Sequence, residues 1–381
     1  MQAGEILRLL PYLFAAGSAY FFVLALSNII WLKASCRRPS RKGGPLVSVL
    51  IPARNEEGNI ARCLDSLLSQ SYENYEVLAL DDCSTDCTWA IIDGYARHHP
   101  AQVRAIHGRP LPATGWNGKP HALHQLAGQA RGEYLLFTDA DTVHGPDSIA
   151  WAVTNLERHR VDFLSAYVRQ DLRRFGEALL VPNMYLMTAV IMPIWLIPVT
   201  RGPMFSFAIG QLVLMRKAAY EAAGGYAAVS GEINDDISIA RAARRAGFRT
   251  IFLDARRHVR CRMYEGFRAS FKGLTKNISE FLNRKVASLV AASLAVVLLF
   301  LLPYALAVPY LVKGWALAEL VVGSALLFQF TWCAVLYDRR LRWWVPFLYP
   351  ATFGFMVVMM WRGFGRLRRG VGLLWKGRVV R

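Results

Sequence analysis

Glu133-Tyr134-Leu135-Leu136-Phe137-Thr138-Asp139-Ala140-Asp141-Thr142 is the stretch on which the reading of this chain turns. Its first half is an unbroken apolar run of strand length, the mark of a strand buried on both faces. Its second half carries two carboxylates, one residue apart, into a turn. Two aspartates at such a strand end can grip a divalent cation and, through it, a diphosphate. Upstream, the apolar run Val47 to Ile51 leads into Pro52-Ala53-Arg54-Asn55-Glu56-Glu57, and Tyr75 to Leu80 leads into Asp81-Asp82-Cys83-Ser84-Thr85-Asp86. Between them Ile60, Leu64, Leu67 and Leu68 recur at helical spacing. A helix over Thr88 to Arg97, a strand at Val103 to Ile106 and a helix from about Lys119 to Ala130 continue the alternation. The pattern predicts an α/β domain on a mostly parallel, doubly wound, Rossmann-like sheet with helices on both faces. In such sheets ligands bind beyond the carboxyl ends of the strands, where all these acidic turns fall.

Each turn suggests a chemistry. The Pro52, Ala53 and Glu56 turn enters a helix, whose first N–H groups suit a nucleobase or phosphate. One aspartate of the Asp81-Asp82 pair can accept a hydrogen bond from a uracil-type N3–H, while Asp86 reads as a helix cap. Gly115-Trp116-Asn117-Gly118-Lys119-Pro120 lets backbone approach a ligand closely, and Lys119 at a helix start can neutralise phosphate. Asp141 is the expected metal ligand, with Asp139 on a ribose or in the metal shell. Magnesium or manganese matches hard oxygen ligands that include diphosphate oxygens. Asp235-Asp236 opens a helical pattern containing Ile239, Arg241 and Arg244, which stops at Gly247. A carboxylate there can remove an acceptor proton, and Asp236 is the expected base with Asp235 as its neighbour, the order between the two left open. His121 and His124 read as packing residues. Any one of these turns alone can be surface capping; three acidic turns on one α/β scaffold describe a nucleotide-sugar enzyme better than a dehydrogenase or a kinase.

The chain has 381 residues, of which 54% are hydrophobic. The excess is concentrated. Leu9 to Leu32 is uncharged and long enough to cross a bilayer. It has no small-residue cleavage site, so it is expected to be retained. Val286 to Val312, Gly314 to Tyr337 and Trp343 to Trp361 are the other apolar runs, the last one interrupted by Pro346 and Pro350. Lys33, Arg37, Arg38, Arg41 and Lys42 follow the first run, and Arg284 and Lys285 precede the second, which by the positive-inside rule puts the intervening domain in the cytoplasm. Three spans after the domain would leave the basic tail (Arg362 to Arg381) outside, unless 343–361 is re-entrant and returns it. A formal charge of +18 without a nucleic-acid-binding motif points to anionic lipid rather than nucleic acid as partner. Six scattered cysteines, with Cys83 and Cys87 sharing a loop, are expected to be reduced thiols and not a zinc site. Ala178 to Thr200 is uncharged and broken by Pro182, Pro193 and Pro198, which predicts a segment in the membrane interface or a lipid-facing wall.

Taken together, these residues resemble glycosyltransferase family 2 enzymes of GT-A fold, over about Val47 to Phe248. The Gly115 to Pro120 segment, the Thr138 to Thr142 turn, Asp235-Asp236 and Trp375-Lys376-Gly377-Arg378 resemble its membrane-bound branch, which glycosylates carotenoids and hopanoid-type isoprenoids. The resemblance implies a UDP-sugar donor, a divalent metal, inversion at the anomeric carbon and a lipid acceptor. It departs from the family in two places: the usual glutamate-aspartate pair is Asp235-Asp236, and the Gln-x-x-Arg-Trp motif of processive synthases is replaced by Lys272-Gly273-Leu274-Thr275-Lys276-Asn277. Lys276, or Arg378 if the tail is cytoplasmic, is then the expected diphosphate contact. The domain scheme is a spanning helix at 1–35 and a catalytic domain at 36–285, with a nucleotide-sugar half (36–177), an interface segment (178–200) and an acceptor half (201–285). Membrane segments and a basic tail occupy 286–381. The expected protein is integral to a bacterial cell membrane and transfers a single sugar to a lipid hydroxyl. A polyprenyl-phosphate glycosyltransferase and an inert membrane scaffold are the alternatives.

Overall fold

The computed structural model describes residues 3–39, 42–280, 285–338, 341–369, 373–375 and 378–380. Arg41, Arg284, Lys376, Gly377 and Arg381 lie outside the described residues. Helix α1 (Ala3–Ser35) leads into β1 (Val47–Ala53), α2 (Ile60–Leu68), β2 (Tyr75–Asp81), α3 (Thr88–His98), β3 (Val103–His107), α4 (Gly118–Gln129) and β4 (Tyr134–Phe137). Next come β5 (Thr142–His144), α5 (Ser148–Arg158), β6 (Phe163–Tyr167), β7 (Arg169–Gln170), α6 (Phe175–Leu180) and α7 (Asn183–Ile191). They are followed by β8 (Val213–Arg216), α8 (Lys217–Ala222), α9 (Asp235–Arg245), β9 (Thr250–Asp254), β10 (Val259–Cys261) and α10 (Gly266–Glu280). The chain closes with α11 (Val286–Val296), α12 (Leu302–Val312), α13 (Ala318–Asp338), α14 (Tyr349–Arg368) and a hairpin of β11 (Leu373–Trp375) and β12 (Arg378–Val380).

The main sheet has seven strands in the order β3-β2-β1-β4-β8-β6-β9. Strands β3, β2, β1 and β4 are parallel, β8 is antiparallel to both its neighbours, and β6 pairs parallel with β9. Every residue of β2 is buried, which is why its sequence shows no polar alternation. Alternate residues feed two cores. Val49 and Ile51 pack with Ile60, Leu64 and Ile149 on one face, and Leu50 and Leu78 pack with Leu123 and Leu126 on the other. Each such side chain, removed wholly from water, contributes about 1.5–3 kcal/mol. The one reversed strand has a consequence for function. With β8 antiparallel, its amino end lies beside the carboxyl end of β4, where Val213 faces Phe137, so Gly210-Gln211 arrive at the same rim as the acidic turns.

Three helical stretches are long and apolar enough to cross a membrane, Leu9–Ser35, Val286–Val312 and Ala318–Asp338. A π-helical turn at Val297–Leu301 joins α11 to α12 within the second. The sequence left the stretch after the domain open between three spans and two with a re-entrant 343–361; among the described residues two helical stretches there are long and apolar enough to cross a bilayer. The Trp343 to Trp361 run instead becomes a 3₁₀ turn at Val345–Leu348 followed by α14, which carries Arg362, Arg366 and Arg368. The tail lies against the domain, where the Arg378 guanidinium forms an ion pair with Asp82. The second of the two long apolar stretches after the domain, Ala318–Asp338, ends in a cluster of ion pairs. Lys33 Nζ at the end of α1 lies 3.0 Å from Asp338 Oδ1 at the end of α13. Asp338 Oδ2 is 2.9 Å from Arg256, and Arg256 Nε donates to Asp254 Oδ1 at the end of β9 at 2.7 Å.

The 178–200 segment is part wall and part core. Asn28 of α1 donates to the Ala189 and Met192 carbonyls and accepts from the Ile194 N–H. Tyr185, Ala189 and Ile197 are buried, while Ile191, Trp195 and Val199 stay exposed.

Candidate active site

Beyond the carboxyl ends of β1, β2 and β4 lies a cavity of about 560 Å³, within the range usual for small-molecule sites. The sequence-picked residues Pro52, Ala53, Glu56, Asp82, Lys119, Asp139, Asp141, Asp235, Asp236 and Lys276 all line it. Asp81 does not; it is buried beside it, one oxygen accepting the Ser84 N–H at 3.2 Å. Asp86 caps as the sequence suggests, taking the Thr88 and Glu57 N–H groups. Residues 209 to 211 and 262 to 264, with Asn117 and Lys272, also line the cavity and were not picked. At Gly210 the structure needs a glycine, since a Cβ there would come within 2.8 Å of Lys119 Nζ, and no sequence pattern announced it.

Lys119 stands among the acids. Its ammonium is 2.5 Å from Asp139 Oδ1. Burial would lower its pKa, but Asp139, Asp235 and Asp236 reverse that and hold it above the ordinary lysine value, firmly charged. Asp236 lies at the start of α9, where the helix dipole favours an anion. Its Oδ2 accepts the Gly210 N–H at 2.9 Å and its Oδ1 the Ile237 N–H at 2.8 Å. Burial raises its pKa, against the opposing pull of Lys119 and these two N–H groups. Asp235 sits deeper. Burial raises its pKa to about 6, Lys119 opposing and Asp236 and Asp139 adding, and its Oδ2 has no partner.

Asp141 is the least compensated group. Burial lifts its pKa to about 7, with Asp139 and Glu56 adding and the Cys261 thiol opposing, and its Oδ1 is buried without a partner. Oxygens of Asp81, Asp82 and Asp235 are in the same condition. Buried polar atoms left unpaired cost about 1–3 kcal/mol each, more when charged, so this rim is built to receive something that supplies donors or positive charge. No group of three or more His, Cys, Asp or Glu side chains forms a metal cage among the described residues. The open oxygen of Asp141 nevertheless fits a hard cation that takes its other ligands from phosphate oxygens and water.

The opposite wall is α10, which presents Lys272, Lys276 and Asn277. Gly273 is forced there, since a Cβ would come 2.2 Å from the Tyr264 ring. Met184 of α7, Ile209 and Met263 add an apolar border.

Comparison with known proteins accounts for this geometry. Residues 48–223 match the model of glycosyl transferase family 2. The chain carries a glycosyltransferase family 2 domain. It is 33% identical over 117 residues to EpsE of Bacillus subtilis, an overlap of 31% of this chain and 40% of EpsE. It is 28% identical over 236 residues to the 4,4'-diaponeurosporenoate glycosyltransferase of Staphylococcus aureus, an overlap of 61% of this chain and 60% of that protein. The chain thus spans less than two thirds of either relative. The mannosyltransferase PcManGT from Pyrobaculum calidifontis, solved in complex with GDP-Man and Mn2+, superimposes with a TM-score of 0.56 at 19% identity, over 93% of this chain and 98% of that one. The fold is GT-A, a mostly parallel sheet with helices on both faces.

Proposed function

We propose that this protein is a membrane-bound, metal-dependent, inverting glycosyltransferase that moves one sugar from a UDP-sugar to a hydroxyl of a hydrophobic acceptor. The observation that carries the reading is the set of unpartnered carboxylate oxygens gathered with Lys119 around one cavity. Asp82 and the Pro52 to Glu56 turn receive the nucleoside, Asp82 through its open Oδ1. Asp141, with Asp139 beside it, would hold Mg2+ or Mn2+, whose charge would offset that of the donor diphosphate. Lys119 contributes fixed positive charge to the cavity, and Lys276, whose pKa burial lowers, lines its opposite wall.

Asp236 acts as the base. Its two N–H contacts leave lone pairs on both oxygens while fixing the carboxylate's direction, and it is more open to the cavity than Asp235. Asp236 takes the acceptor proton as the hydroxyl attacks the anomeric carbon from the face opposite the departing diphosphate, giving inversion. The acceptor enters along Met184, Ile209 and Met263, where α7 joins the cavity to α1. The domain faces the cytoplasm by the positive-inside rule, and the relative that acts on diaponeurosporenoate supports an apolar acceptor.

Membranes carrying the protein, incubated with radiolabelled UDP-glucose, UDP-N-acetylglucosamine or GDP-mannose and manganese, are expected to move label into the organic extract from a UDP-sugar. Label that stays in the aqueous phase with every donor rejects the lipid-acceptor reading.

A further inference from the structure

A second cavity, of about 330 Å³, lies apart from the first and shares none of its lining residues. It is formed by the Arg169 to Arg174 stretch, with Ala178, and by Leu341, Arg342, Trp344 and Val345. Four arginines meet one carboxylate there, and that carboxylate, Asp171, is engaged by Arg169 at 3.4 Å. The guanidiniums of Arg173, Arg174 and Arg342 have no acidic partner among the described residues. Such a cluster repels itself and the fold gains nothing from it, so a diffuse solvated patch would serve as well. A concave one around unpaired guanidiniums fits an anion, and phosphate matches the guanidinium fork.

The surroundings decide which anion. The cavity begins three residues beyond Asp338, the end of α13, which Lys33 at the end of α1 holds at the same level. These are the ends of two helices long enough to span a bilayer. On the rim Phe175 stacks on Trp344 with ring centres 5.9 Å apart, and Phe175, Trp343 and Phe347 are 61%, 81% and 66% exposed. Exposed aromatic side chains beside arginines, at the end of a spanning helix, mark the depth of lipid headgroups. A free phosphate needs no such aromatic fringe.

We propose that this cavity binds the phosphate of one anionic phospholipid, whose acyl chains lie against Phe175, Trp343 and Phe347. The inference rests on the membrane reading of α1 and α13 but not on the transfer reaction. Gln170, which borders this cavity and donates to Gln211 in the wall of the first at 2.8 Å, makes the site a neighbour of the catalytic one and not a part of it.

The test uses the full chain in detergent micelles doped with phosphatidylglycerol or phosphatidylcholine, read by native mass spectrometry. The wild type is expected to retain one phosphatidylglycerol in preference to phosphatidylcholine. At about fivefold per arginine near a lipid surface, Arg173→Gln, Arg174→Gln and Arg342→Gln combined should weaken retention by about a hundredfold. The exposed single variant Arg342→Gln, with an unchanged unfolding temperature, should lose about fivefold. Undiminished retention in both variants overturns the proposal, as does displacement of the lipid by millimolar inorganic phosphate. Wild type that alkaline carbonate strips from membranes would instead remove the membrane reading beneath it.

Discussion

Strand β2 has a buried carboxylate, Glu76, near its amino end and another, Asp82, just beyond its carboxyl end, and the two are treated in opposite ways. At the amino end Glu76 accepts the Ser48 hydroxyl at 2.7 Å, the Arg131 N–H at 2.9 Å and the Arg131 guanidinium at 2.6 Å. Burial alone would raise its pKa, but these partners together hold it below the usual carboxylate value. At the carboxyl end Asp82 pairs with Arg378 through one oxygen and leaves the other buried and open, and burial keeps its pKa raised. Across that same rim burial, with Asp139 and Glu56 adding, lifts the Asp141 pKa to about 7. One rim is finished by the protein itself; the other is left for a ligand to finish. The difference separates a carboxylate whose partners all lie within the domain from one that keeps an oxygen open, which is the distinction the proposed function rests on.

The contrast is broken most directly at Asp236. Asp236→Asn should lower kcat by about a thousandfold, the middle of the range for general-base removal, while donor affinity measured by calorimetry stays within about threefold and the unfolding temperature holds. A variant retaining more than a tenth of wild-type turnover would make Asp236 a rim residue like any other. The reciprocal experiment is Glu76→Gln, which leaves Arg131 and Ser48 facing a neutral amide. It should destabilise the domain by about 2–3 kcal/mol in denaturant unfolding yet leave kcat per folded molecule unchanged.

His144 gives a pH test of the boundary between the rims. It is buried against Thr138 and Ser148, each 3.0 Å from a ring nitrogen, and burial lowers its pKa to about 4. The folded state thus resists protonation that the unfolded chain accepts near 6.5. Its contribution is complete above pH 6.5, falls as the pH drops, and is gone by pH 4, a loss of about 3 kcal/mol. His144→Gln should flatten that part of the stability-versus-pH curve. The smallest effect is expected at the tail: Arg378→Ala should change the KM for the donor by about fivefold, one hydrogen bond's worth, with kcat little altered. An unchanged KM would make the Arg378–Asp82 pair a structural tie, like that of Glu76.

Much of the cavity wall built from β1, β2 and β4 was legible because its signals are local. Buried parallel strands of Val, Leu and Ile, acidic turns at their ends and a helix face of Ile60, Leu64 and Leu67 are each decided within a dozen residues. The wall that β8 and α10 supply was less so. Gly210 and Gln211 enter the site because β8 runs backwards, and Tyr264 because Gly273 makes room for it; neither relation leaves a periodic trace. The last apolar run was left open between a span and a re-entrant segment, because its two prolines and the basic residues Arg362, Arg366 and Arg368 pull the reading in opposite directions, and only the fold shows that they share one helix.

The sequence by itself determined the α/β alternation, the spanning lengths and the acidic corners, since backbone sterics and side-chain periodicity act over short distances. Tertiary structure alone decided which carboxylates are neutralised and which stay open, because that depends on partners far along the chain. Arg378 reaches Asp82 across 296 positions, and Lys33 meets Asp338 from the opposite end. Hydrogen bonds and ion pairs need their partners within about 3–4 Å, and only folding sets those distances.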